Sequence, residues 1–462
     1  MNQRKRENMH EIKIDMSADI PFINDDIDEF ILNSLTMQNP VYVENEKNKR
    51  KNWGVPKILE FFEVNQKNNI LKVPRGFIDD LKDYCNNRDL EICVKRLKKE
   101  YNSCREYFHY DNKLRRFQEI AVNKCKGHFE SVVSAPPGAG KTHIGMKFIE
   151  LRQLPTMIIV PTKALIKQWQ KRIKKSLGIP IKEIGVFGMG QNRLTDINLG
   201  LVPTLKNNLD ALDNIGNLIL DEVHRLPADT FLDVVKFYEG EYIEGLSATP
   251  FRGDGLTDVI KWYSGRIRYE IDMRSLIDQG YLAKPEFIIR KTKFGARYGM
   301  KYTKMMDWLI KNEDRNKMII DDVIHQAGNG EMCIVLSDRV EHLEILSETL
   351  NKNGFDNFVL HGQLPEKKQD YIIEAIENKE KNILLATTKF IGEGFDSNNL
   401  SSLFLCMPVA YVGRLIQYIG RVLRIKDDNS GANIFDYHDR NMKTFWPGCD
   451  ERLAFYDTLK GC

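Results

Sequence analysis

The sequence has few features of a membrane, zinc-binding or disulfide-bonded protein. Its eight cysteines include no C-x-x-C pair, so neither a zinc site of the usual spacing nor a disulfide framework is expected. The N-terminal stretch MNQRKRENMHEIK lacks the apolar core of a signal peptide. The longest apolar run, residues 403–412, is about half as long as a bilayer-spanning helix. These absences predict an intracellular, cytoplasmic protein without a membrane partner.

The chain also has little excess charge, since its formal net charge is +3 over 462 residues. The basic residues are nevertheless clustered, at 4–6, 47–51, 95–99, 115–116 and 171–175. Such clusters can follow a phosphate backbone, but they are also typical of solvated helix faces. Charge alone therefore neither predicts nor excludes a polyanionic partner.

Three regions differ in pattern. Residues 1 to about 110 are polar, with weakly periodic helical stretches, and are expected to form a smaller N-terminal accessory domain. In 111–275 and again in 276–462, short apolar runs alternate with amphipathic stretches, which indicates βαβ units and parallel sheets. The predicted fold is α/β with two tandem copies of one architecture, joined by a helical and loop stretch at 273–327. The predicted strands are ESVVSA, TMIIVP, IKEIGVFG, NLILDE, YIEGLSAT, EMCIVLS, NFVLHG, NILLATT, LSSLFLCMP and ANIFDY.

The stretch SAPPGAGKTH (134–143) has the context of a phosphate-binding loop, because a buried-strand run precedes it and a helical pattern follows. Its glycines allow backbone N–H groups to turn towards phosphate oxygens, and the following helix N-terminus adds partial positive charge. Lys141 would reach the β- and γ-phosphates and Thr142 would bind Mg²⁺. The alternative is a plain strand-to-helix turn. The predicted nucleotide-binding residues of this loop are Pro137, Gly138, Ala139, Gly140, Lys141, Thr142 and His143.

About eighty residues later, NLILDEVHRL places two carboxylates at the end of an apolar strand. Asp221 can hold Mg²⁺, and Glu222 can orient and deprotonate an attacking water molecule. Together with the phosphate loop, this pair predicts half of an NTP hydrolysis site.

Phosphoryl transfer also needs positive charge beyond the γ-phosphate, and QYIGRVLR is a candidate source. Gln417 is followed by Arg421 and Arg424, which are three residues apart and would share one helical face. Taken alone, two such arginines are more typical of a solvated helix face.

The order of these motifs resembles that of a superfamily 2 helicase or translocase across residues 111 to about 440. The resemblance implies two RecA-like domains that bind ATP in a cleft and nucleic acid across both domains. The motifs are LRRFQ (114–118), APPGAGKT (135–142), IIVPTKALIKQW (158–169), VPTLKNNL (202–209), DEVH (221–224), GLSATPFR (245–252), CIVLSDRVEHL (333–343), LHG (360–362), ATTKFIGEGFD (386–396) and QYIGRVLR (417–424).

The resemblance also implies roles for individual residues. The adenine side would be Arg115 and Gln118, and the second domain would add Gly394 and Asp396 to the nucleotide site and Arg421 and Arg424 as arginine fingers. His224, Ser247 and Thr249 would couple ATP to nucleic-acid binding. Contacts to the sugar-phosphate backbone, which position a protein without reading sequence, would come from Pro161, Thr162, Thr204, Arg339 and Thr387.

Within the superfamily, the pattern is most similar to the XPB/UvsW-like and type III restriction-like group, most of whose members act on DNA. The chain has D-E-V-H rather than D-E-A-D, Gln417 at the start of the last motif, and the linker RSLIDQGYLAKPEF. One departure is that Arg252, Gly253 and Asp254 stand where XPB proteins have Arg-Glu-Asp. The missing carboxylate favours translocation over strong unwinding, or strand separation by another element.

The N-terminal region has a cluster that mixes cations with an aromatic ring, Lys49, Arg50 and Trp53, and an arginine beside a turn, Arg75 in PRGF. A tryptophan among cations can stack on a base or ribose, so nucleic-acid recognition is one interpretation. Capping of the first RecA-like domain is the other.

The sequence thus predicts an ATP- and Mg²⁺-dependent helicase or translocase acting on duplex, forked or branched DNA, for repair, recombination or remodelling. An RNA helicase or transcript-release factor, and a motor subunit with protein partners in a defence or transcription complex, stay as alternatives. The Asn-, Lys- and Ile-rich composition indicates an AT-rich genome such as that of a phage or virus.

Overall fold

The computed structural model describes the chain apart from residues 1–8, 15–17, 97–98, 103, 105–106, 296–299, 393–398, 410–411, 426–430 and 461–462. It divides into two compact units. The first comprises Met1–Ser134 and Lys141–Glu270, and the second comprises Ala135–Gly140 and Ile271–Cys462.

The N-terminal part of the first unit forms small sheets beside short helices. Strand β1 pairs with β7 in parallel, β2, β6 and β5 form an antiparallel sheet in that order, and β3 pairs with β4 in the antiparallel sense. The elements are β1 (Met9–Ile14), β2 (Asp19–Pro21), α1 (Asp25–Ser34), β3 (Thr36–Gln38), α2 (Pro40–Lys47), β4 (Ile58–Glu60), β5 (Glu63–Asn65), β6 (Ile70–Lys72), α3 (Ile78–Asn86) and β7 (Glu91–Arg96).

The main sheet of the first unit follows, with strands in the order β11-β10-β12-β9-β13-β14-β8-β15, parallel except for the β10–β11 pair. Its elements are α4 (Arg116–Cys125), β8 (Glu130–Ser134), α5 (Lys141–Arg152), β9 (Thr156–Val160), α6 (Lys163–Leu177), β10 (Gly185–Gly188), β11 (Gln191–Arg193), β12 (Ile197–Leu201), α7 (Val202–Lys206), β13 (Asn217–Asp221), α8 (Asp229–Phe237), β14 (Tyr242–Ser247), α9 (Thr257–Ser264) and β15 (Ile267–Glu270).

The predicted α/β class and all five predicted strands of this region are confirmed. Strands β8, β9 and β13 are buried along their whole length, which is why each has an apolar run at its centre. Strands β11, β12 and β15 were not predicted. The first and last lie at the two edges of the sheet and contain polar residues (QNR and IRYE), and in β12 (INLGL) Asn198 and Gly200 interrupt the apolar run.

The N-terminal part shares one hydrophobic core with the main sheet. Phe77 and Leu81 belong to the same buried cluster as Ile260 and Trp262 of α9. Gly76 makes this approach feasible, since a Cβ there would lie 2.3 Å from the carbonyl oxygen of Lys261. The N-terminal part therefore packs as a cap on the main sheet of the same unit.

The second unit contains a parallel sheet with strands in the order β16-β21-β20-β17-β19-β18. Its elements are α10 (Met273–Asp278), β16 (Pro285–Lys291), α11 (Tyr302–Ile310), α12 (Glu313–Gly328), β17 (Cys333–Ser337), α13 (Val340–Lys352), β18 (Phe358–Leu360), α14 (Glu366–Glu377), β19 (Ile383–Thr387), α15 (Thr388–Gly392), β20 (Ser402–Leu405), α16 (Val412–Val422), β21 (Ala432–His438) and α17 (Trp446–Lys460).

The five strands predicted for this region are confirmed, but the reading of 273–327 as helix and loop alone is wrong. Strand β16 lies within that stretch and pairs in parallel with β21 along its full length. Its position at the sheet edge explains the mixed polarity of PEFIIRK, which hid it from a search for apolar runs. None of the helices that the structure describes has the length and apolarity needed to cross a bilayer.

Candidate functional site

The predicted phosphate loop connects β8 to α5. Gly138 and Gly140 have φ angles of +85° and +78°, in the left-handed region that glycine adopts without strain. Between them, the backbone N–H of Ala139 donates to the carbonyl oxygen of Pro136. The loop conformation thus depends on the two glycines that the sequence singled out.

Lys141 opens α5 and meets the acidic motif at the end of β13. Its Nζ lies 3.3 Å from Oε1 of Glu222, and both side chains are largely buried. Glu222 has a φ of +55°, which is unusual for a residue with a Cβ and is a form of backbone strain that clusters at functional sites. The structure therefore brings together Lys141 and Glu222, which are 81 residues apart in the sequence.

Asp221 is the last residue of β13 and is buried. Its Oδ1 accepts from the backbone N–H of Glu222 at 3.0 Å, and its Oδ2 accepts from the Trp169 indole at 2.9 Å. Burial raises the pKa of Asp221 and the neighbouring Glu222 carboxylate raises it further, while Lys141 and the indole hydrogen bond act in the opposite direction. A buried carboxylate in this setting is stabilised by a cation, which fits the predicted metal ligand.

Two residues of the site escaped the sequence analysis, Trp169 and Arg172 on α6. The Arg172 Nη1 donates to the Thr142 hydroxyl at 2.6 Å. The Trp169 ring packs on α5 at Gly145, where a Cβ would lie 2.7 Å from the ring. The sequence placed Arg172 in the basic cluster 171–175, and only its i, i+3 spacing from Trp169 distinguishes it from its neighbours.

The three predicted coupling residues lie together in the first unit. The His224 Nδ1 is 3.0 Å from the Ser247 hydroxyl and 3.4 Å from Oε2 of Glu222. The same hydroxyl accepts from the backbone N–H of Thr249 at 3.2 Å. A continuous set of contacts thus runs from the acidic motif to the S-A-T segment.

Arg252 extends this set of contacts. Its Nη1 donates to the carbonyl oxygen of His224 at 2.7 Å, and its Nε donates to Oδ1 of Asp254 at 2.9 Å. The hydrogen bond from Arg252 holds the pKa of Asp254 below its usual value, despite partial burial. The two charged residues retained from the Arg-Glu-Asp pattern therefore pair with each other and brace the acidic motif.

The predicted adenine-side residues lie at the start of α4. The Gln118 side chain is buried and accepts from the backbone N–H of Arg115 at 2.9 Å. His143, next to the phosphate loop, contacts the Tyr110 hydroxyl at 2.7 Å through Nδ1. Burial lowers the pKa of His143, and the charges of Arg172 and Arg115 lower it further, so these cations lie near His143.

The residues predicted to contact the nucleic-acid backbone lie at the carboxyl ends of parallel strands, where open α/β sheets usually bind ligands. In the first unit Thr162 caps α6 by accepting from the backbone N–H of Leu165 at 3.3 Å. The others follow or end strands in the same way: Pro161 after β9, Thr204 after β12, Arg339 after β17 and Thr387 at the end of β19.

The basic and aromatic cluster lies on the loop between α2 and β4. Trp53 is 97% exposed, and Lys49 and Arg50 are exposed beside it. The loop is held in place because Asn52 Nδ2 donates to the Tyr42 carbonyl at 3.2 Å and Asn39 Nδ2 donates to the Pro56 carbonyl at 2.9 Å. The structure thus presents the ring on a braced loop.

Arg75, in contrast, makes its contacts inside the fold. It is 7% exposed, its Nε donates to Oε1 of Glu130 at 2.9 Å, and its Nη2 donates to the Glu241 carbonyl at 2.8 Å. Its guanidinium joins the N-terminal cap to the main sheet. The sequence could not distinguish this structural role from nucleic-acid recognition.

In the second unit, Gln417 and Arg421 lie on α16 and are partly buried. The expected shared helical face with Arg424 is wrong in one respect, because α16 ends at Val422 and Arg424 lies beyond it. Gly394 and Asp396 lie outside the described residues.

Comparison with known proteins gives two family matches. Residues 111–252 match the model of the type III restriction enzyme res subunit, and residues 314–426 match the helicase conserved C-terminal domain. Together the matches cover more than half of the chain.

Individual relatives extend these matches. The chain is 29% identical to 161L of Invertebrate iridescent virus 6, named as a helicase, over 73% of this chain and 78% of that protein. It is 26% identical to the DNA 3'-5' translocase XPB2 of Sulfurisphaera tokodaii, over 68% and 79%. It is 24% identical to L396 of Acanthamoeba polyphaga mimivirus, named as an ATP-dependent RNA helicase, over 98% and 82%.

Among solved structures, the fold is similar to a fragment of an HsdR subunit of a type I restriction enzyme from Vibrio vulnificus YJ016. The TM-score is 0.57 at 18% identity, over 76% of this chain and 68% of that chain. At this identity the likeness concerns the fold.

Proposed function

Since the chain belongs to the superfamily 2 ATP-dependent helicases, in the group of XPB and the type III restriction enzymes, we propose that it is a Mg²⁺-dependent translocase or helicase acting on duplex or branched DNA. The observation that carries this proposal is the cluster of Lys141, Asp221 and Glu222 beside the phosphate loop. A role in repair, recombination or remodelling is part of the proposal, as is a viral or phage origin, which the viral relatives support.

The residues of the first unit divide the chemistry among them. Lys141 binds the β- and γ-phosphates, and Glu222 orients and deprotonates the attacking water molecule. The Thr142 hydroxyl and the Asp221 carboxylate are oxygen ligands of the kind magnesium prefers. Asp221 also fits a magnesium ion because a nearby cation would stabilise its buried charge. Bound magnesium would neutralise charge on the phosphates.

Positive charge beyond the γ-phosphate is assigned to Arg421 and Arg424 of the second unit, with Gln417 nearby in sequence. Arg115 and Gln118 are assigned to the adenine side, and Gly394 and Asp396 to the nucleotide. These roles rest on the motif matches and stay predictions.

The choice of DNA over RNA rests on the D-E-V-H motif, on Gln417, and on the relative named as a DNA 3'-5' translocase. The relative named as an RNA helicase favours the alternative of an RNA helicase or transcript-release factor, because its match extends over 98% of this chain.

The nucleic-acid contacts are proposed at two places. Pro161, Thr162, Thr204, Arg339 and Thr387 at the strand ends would contact the backbone. The braced loop with Lys49, Arg50 and the 97% exposed Trp53 would add charge and base stacking. The exposed ring and the neighbouring cations supply the two components that bind single-stranded nucleic acid, a stacking surface and positive charge.

The test is the steady-state ATPase rate without nucleic acid and with single-stranded, duplex and forked DNA and with RNA, at low and high salt. We expect slow basal hydrolysis and strong stimulation by duplex or forked DNA, which falls steeply as salt rises. Lys141→Ala, which should abolish nucleotide binding, is the control for contaminating ATPases. Stimulation by RNA alone would overturn the DNA assignment, and no stimulation by any of them would favour a motor subunit that needs a partner.

The Trp53 loop is tested in the same assay. Trp53→Ala should raise the DNA concentration needed for half-maximal stimulation by about tenfold, because stacking on one base is worth about 1–3 kcal/mol. Tyr107→Ala is the matched control, since Tyr107 is 81% exposed and lies on the same unit. An equal response of the two variants would remove Trp53 from the DNA interface.

A further inference from the structure

Helix α6 places two hydrogen-bond donors, one turn apart, on the two proposed magnesium ligands. Trp169 Nε1 donates to Asp221 Oδ2 at 2.9 Å, and Arg172 Nη1 donates to Thr142 Oγ1 at 2.6 Å. Residues three apart on a helix lie on the same face, so one face of α6 contacts the whole predicted metal site.

The two donors differ in charge, and this difference decides their consequences. The Trp169 indole is neutral, so its hydrogen bond positions Asp221 without opposing a cation. The Arg172 guanidinium is permanently charged, and it donates a hydrogen bond to the hydroxyl oxygen that would bind magnesium.

A guanidinium and a magnesium ion beside the same hydroxyl oxygen repel each other. Magnesium binds its oxygen ligands at about 2.1 Å and demands near-octahedral geometry. Thr142 is 6% exposed, and two positive charges this close repel strongly where little water screens them. The hydrogen bond from Arg172 and the binding of magnesium at the Thr142 hydroxyl therefore weaken each other.

We propose that Arg172 is a positioning residue that stands in for magnesium at Thr142: it supports nucleotide binding when the metal is scarce and competes with the metal for its site. The inference rests on the proposed ATP and magnesium site. It predicts that Arg172 makes nucleotide binding less dependent on magnesium, because it holds the Thr142 hydroxyl and adds positive charge at the position where the ion would bind.

A purely structural role would behave differently. If Arg172 only braces α6 against α5, removing it lowers the unfolding temperature and weakens nucleotide binding by the same factor with and without magnesium. The two roles are therefore separated by the magnesium dependence of binding rather than by its strength.

The experiment measures the Kd of a fluorescent ADP analogue by anisotropy, first in EDTA and then across a Mg²⁺ titration, in the absence of DNA. Arg172→Gln should weaken binding in EDTA by about tenfold, the effect of losing one charged hydrogen bond. In the same variant the Mg²⁺ concentration at half-saturation should fall several-fold, since the competing cation has gone. Arg172→Lys, which keeps the charge, should restore part of both effects.

Lys174→Gln is the matched control, because it removes the same charge from an exposed position on the same helix. Thermal unfolding of each variant reports whether the fold is intact. Opposite shifts in the EDTA Kd and the Mg²⁺ midpoint for Arg172→Gln, absent in Lys174→Gln, support the inference.

If Arg172→Gln changes the Kd in EDTA and the Kd at saturating Mg²⁺ by the same factor, or changes neither, the inference is overturned and the proposed function stays intact. A wild-type chain that binds no nucleotide at any Mg²⁺ concentration overturns the proposed function, and the inference with it.

Discussion

The two units share a parallel-sheet architecture, but one buried carboxylate in each, Asp221 and Asp436, has the opposite kind of neighbour. In the first unit, Asp221 at the end of β13 accepts from an indole and a backbone amide, and burial raises its pKa. In the second unit, Asp436 on β21 accepts from the Arg452 Nε at 2.7 Å and from the Tyr456 hydroxyl at 2.8 Å.

The charge of the donors accounts for the difference. Burial alone would raise the pKa of Asp436, but the hydrogen bond from His438 and the charge of Arg452 outweigh it and hold the pKa at about 2. Asp439, just beyond the same strand, pairs with the buried Arg315 at 2.9 Å. These carboxylates already have their cation, and they fasten helices to the sheet.

The comparison shows that a carboxylate at or near a strand end is not by itself a functional site. What distinguishes Asp221 is that both of its hydrogen-bond donors are neutral and that the nearby Lys141 is paired with Glu222, so part of its charge is left for a ligand to compensate. The predictions below test this distinction, from the largest expected effect to the smallest.

The largest effect is expected for Glu222→Gln. The variant should bind ATP but hydrolyse it more slowly by a factor on the order of 10²–10⁴, because the general base is lost while the shape is kept. DNA-stimulated ATPase rate and nucleotide Kd, measured on the same preparation, check this. Turnover near the wild-type rate would remove Glu222 from the role of base.

In the second unit, Asp436→Asn should affect stability instead. It leaves the buried Arg452 without its charge partner, which costs about 3–5 kcal/mol. Urea unfolding measures the loss, and the ATPase rate per folded molecule should stay close to wild type at low temperature. Asp457→Asn, at an exposed position on α17, is the control and should change stability by less than about 0.5 kcal/mol. A stable Asp436→Asn variant with a damaged ATPase would invert the comparison.

The residues that the sequence predicted well are those whose role is encoded locally. The loop glycines 138 and 140 adopt positive φ, and Asp221 ends an apolar strand that Glu222 follows. Each of these features can be recognised from a few adjacent residues. Trp169 and Arg172 were missed because their partners are 52 and 30 residues away and only the packing of α5 against α6 reveals them.

The missed strand β16 and the open question about Arg75 have the same cause. Arg75 resembles a recognition residue in its own segment, yet its partner Glu130 is 55 residues away and the pair is buried. Strand β16 is half polar because it lies at an edge, and an edge position is a property of the sheet rather than of the segment. Contacts between residues distant in sequence decide whether an arginine is structural and whether a strand lies at an edge. The hydrophobic periodicity of a segment does not predict those contacts.

The smallest effect concerns pH, and it should differ in sign between the units. Glu244 lies fully buried on β14, with Arg152 Nε at 3.0 Å from its Oε1, and burial outweighs this partner and raises its pKa from 4.5 to about 7. Between these values the folded chain holds a proton at Glu244 that the unfolded chain has lost. The contribution of Glu244 to stability therefore falls as pH rises through this window.

Asp436 behaves in the opposite way, because its pKa is lowered from 3.8 to about 2. Its contribution is present above about pH 4 and is lost only as the pH falls through about 2. Between about pH 5 and pH 7.5, only Glu244 of this pair should respond. Glu244→Gln, which cannot titrate, should thus remove a decline of about 2 kcal/mol in unfolding free energy over that interval, whereas Asp436→Asn should lower stability equally at both ends. If the difference in unfolding free energy between the wild type and Glu244→Gln does not change with pH, Arg152 keeps Glu244 ionised. Glu244 would then resemble Asp436, as a buried carboxylate whose charge an arginine compensates.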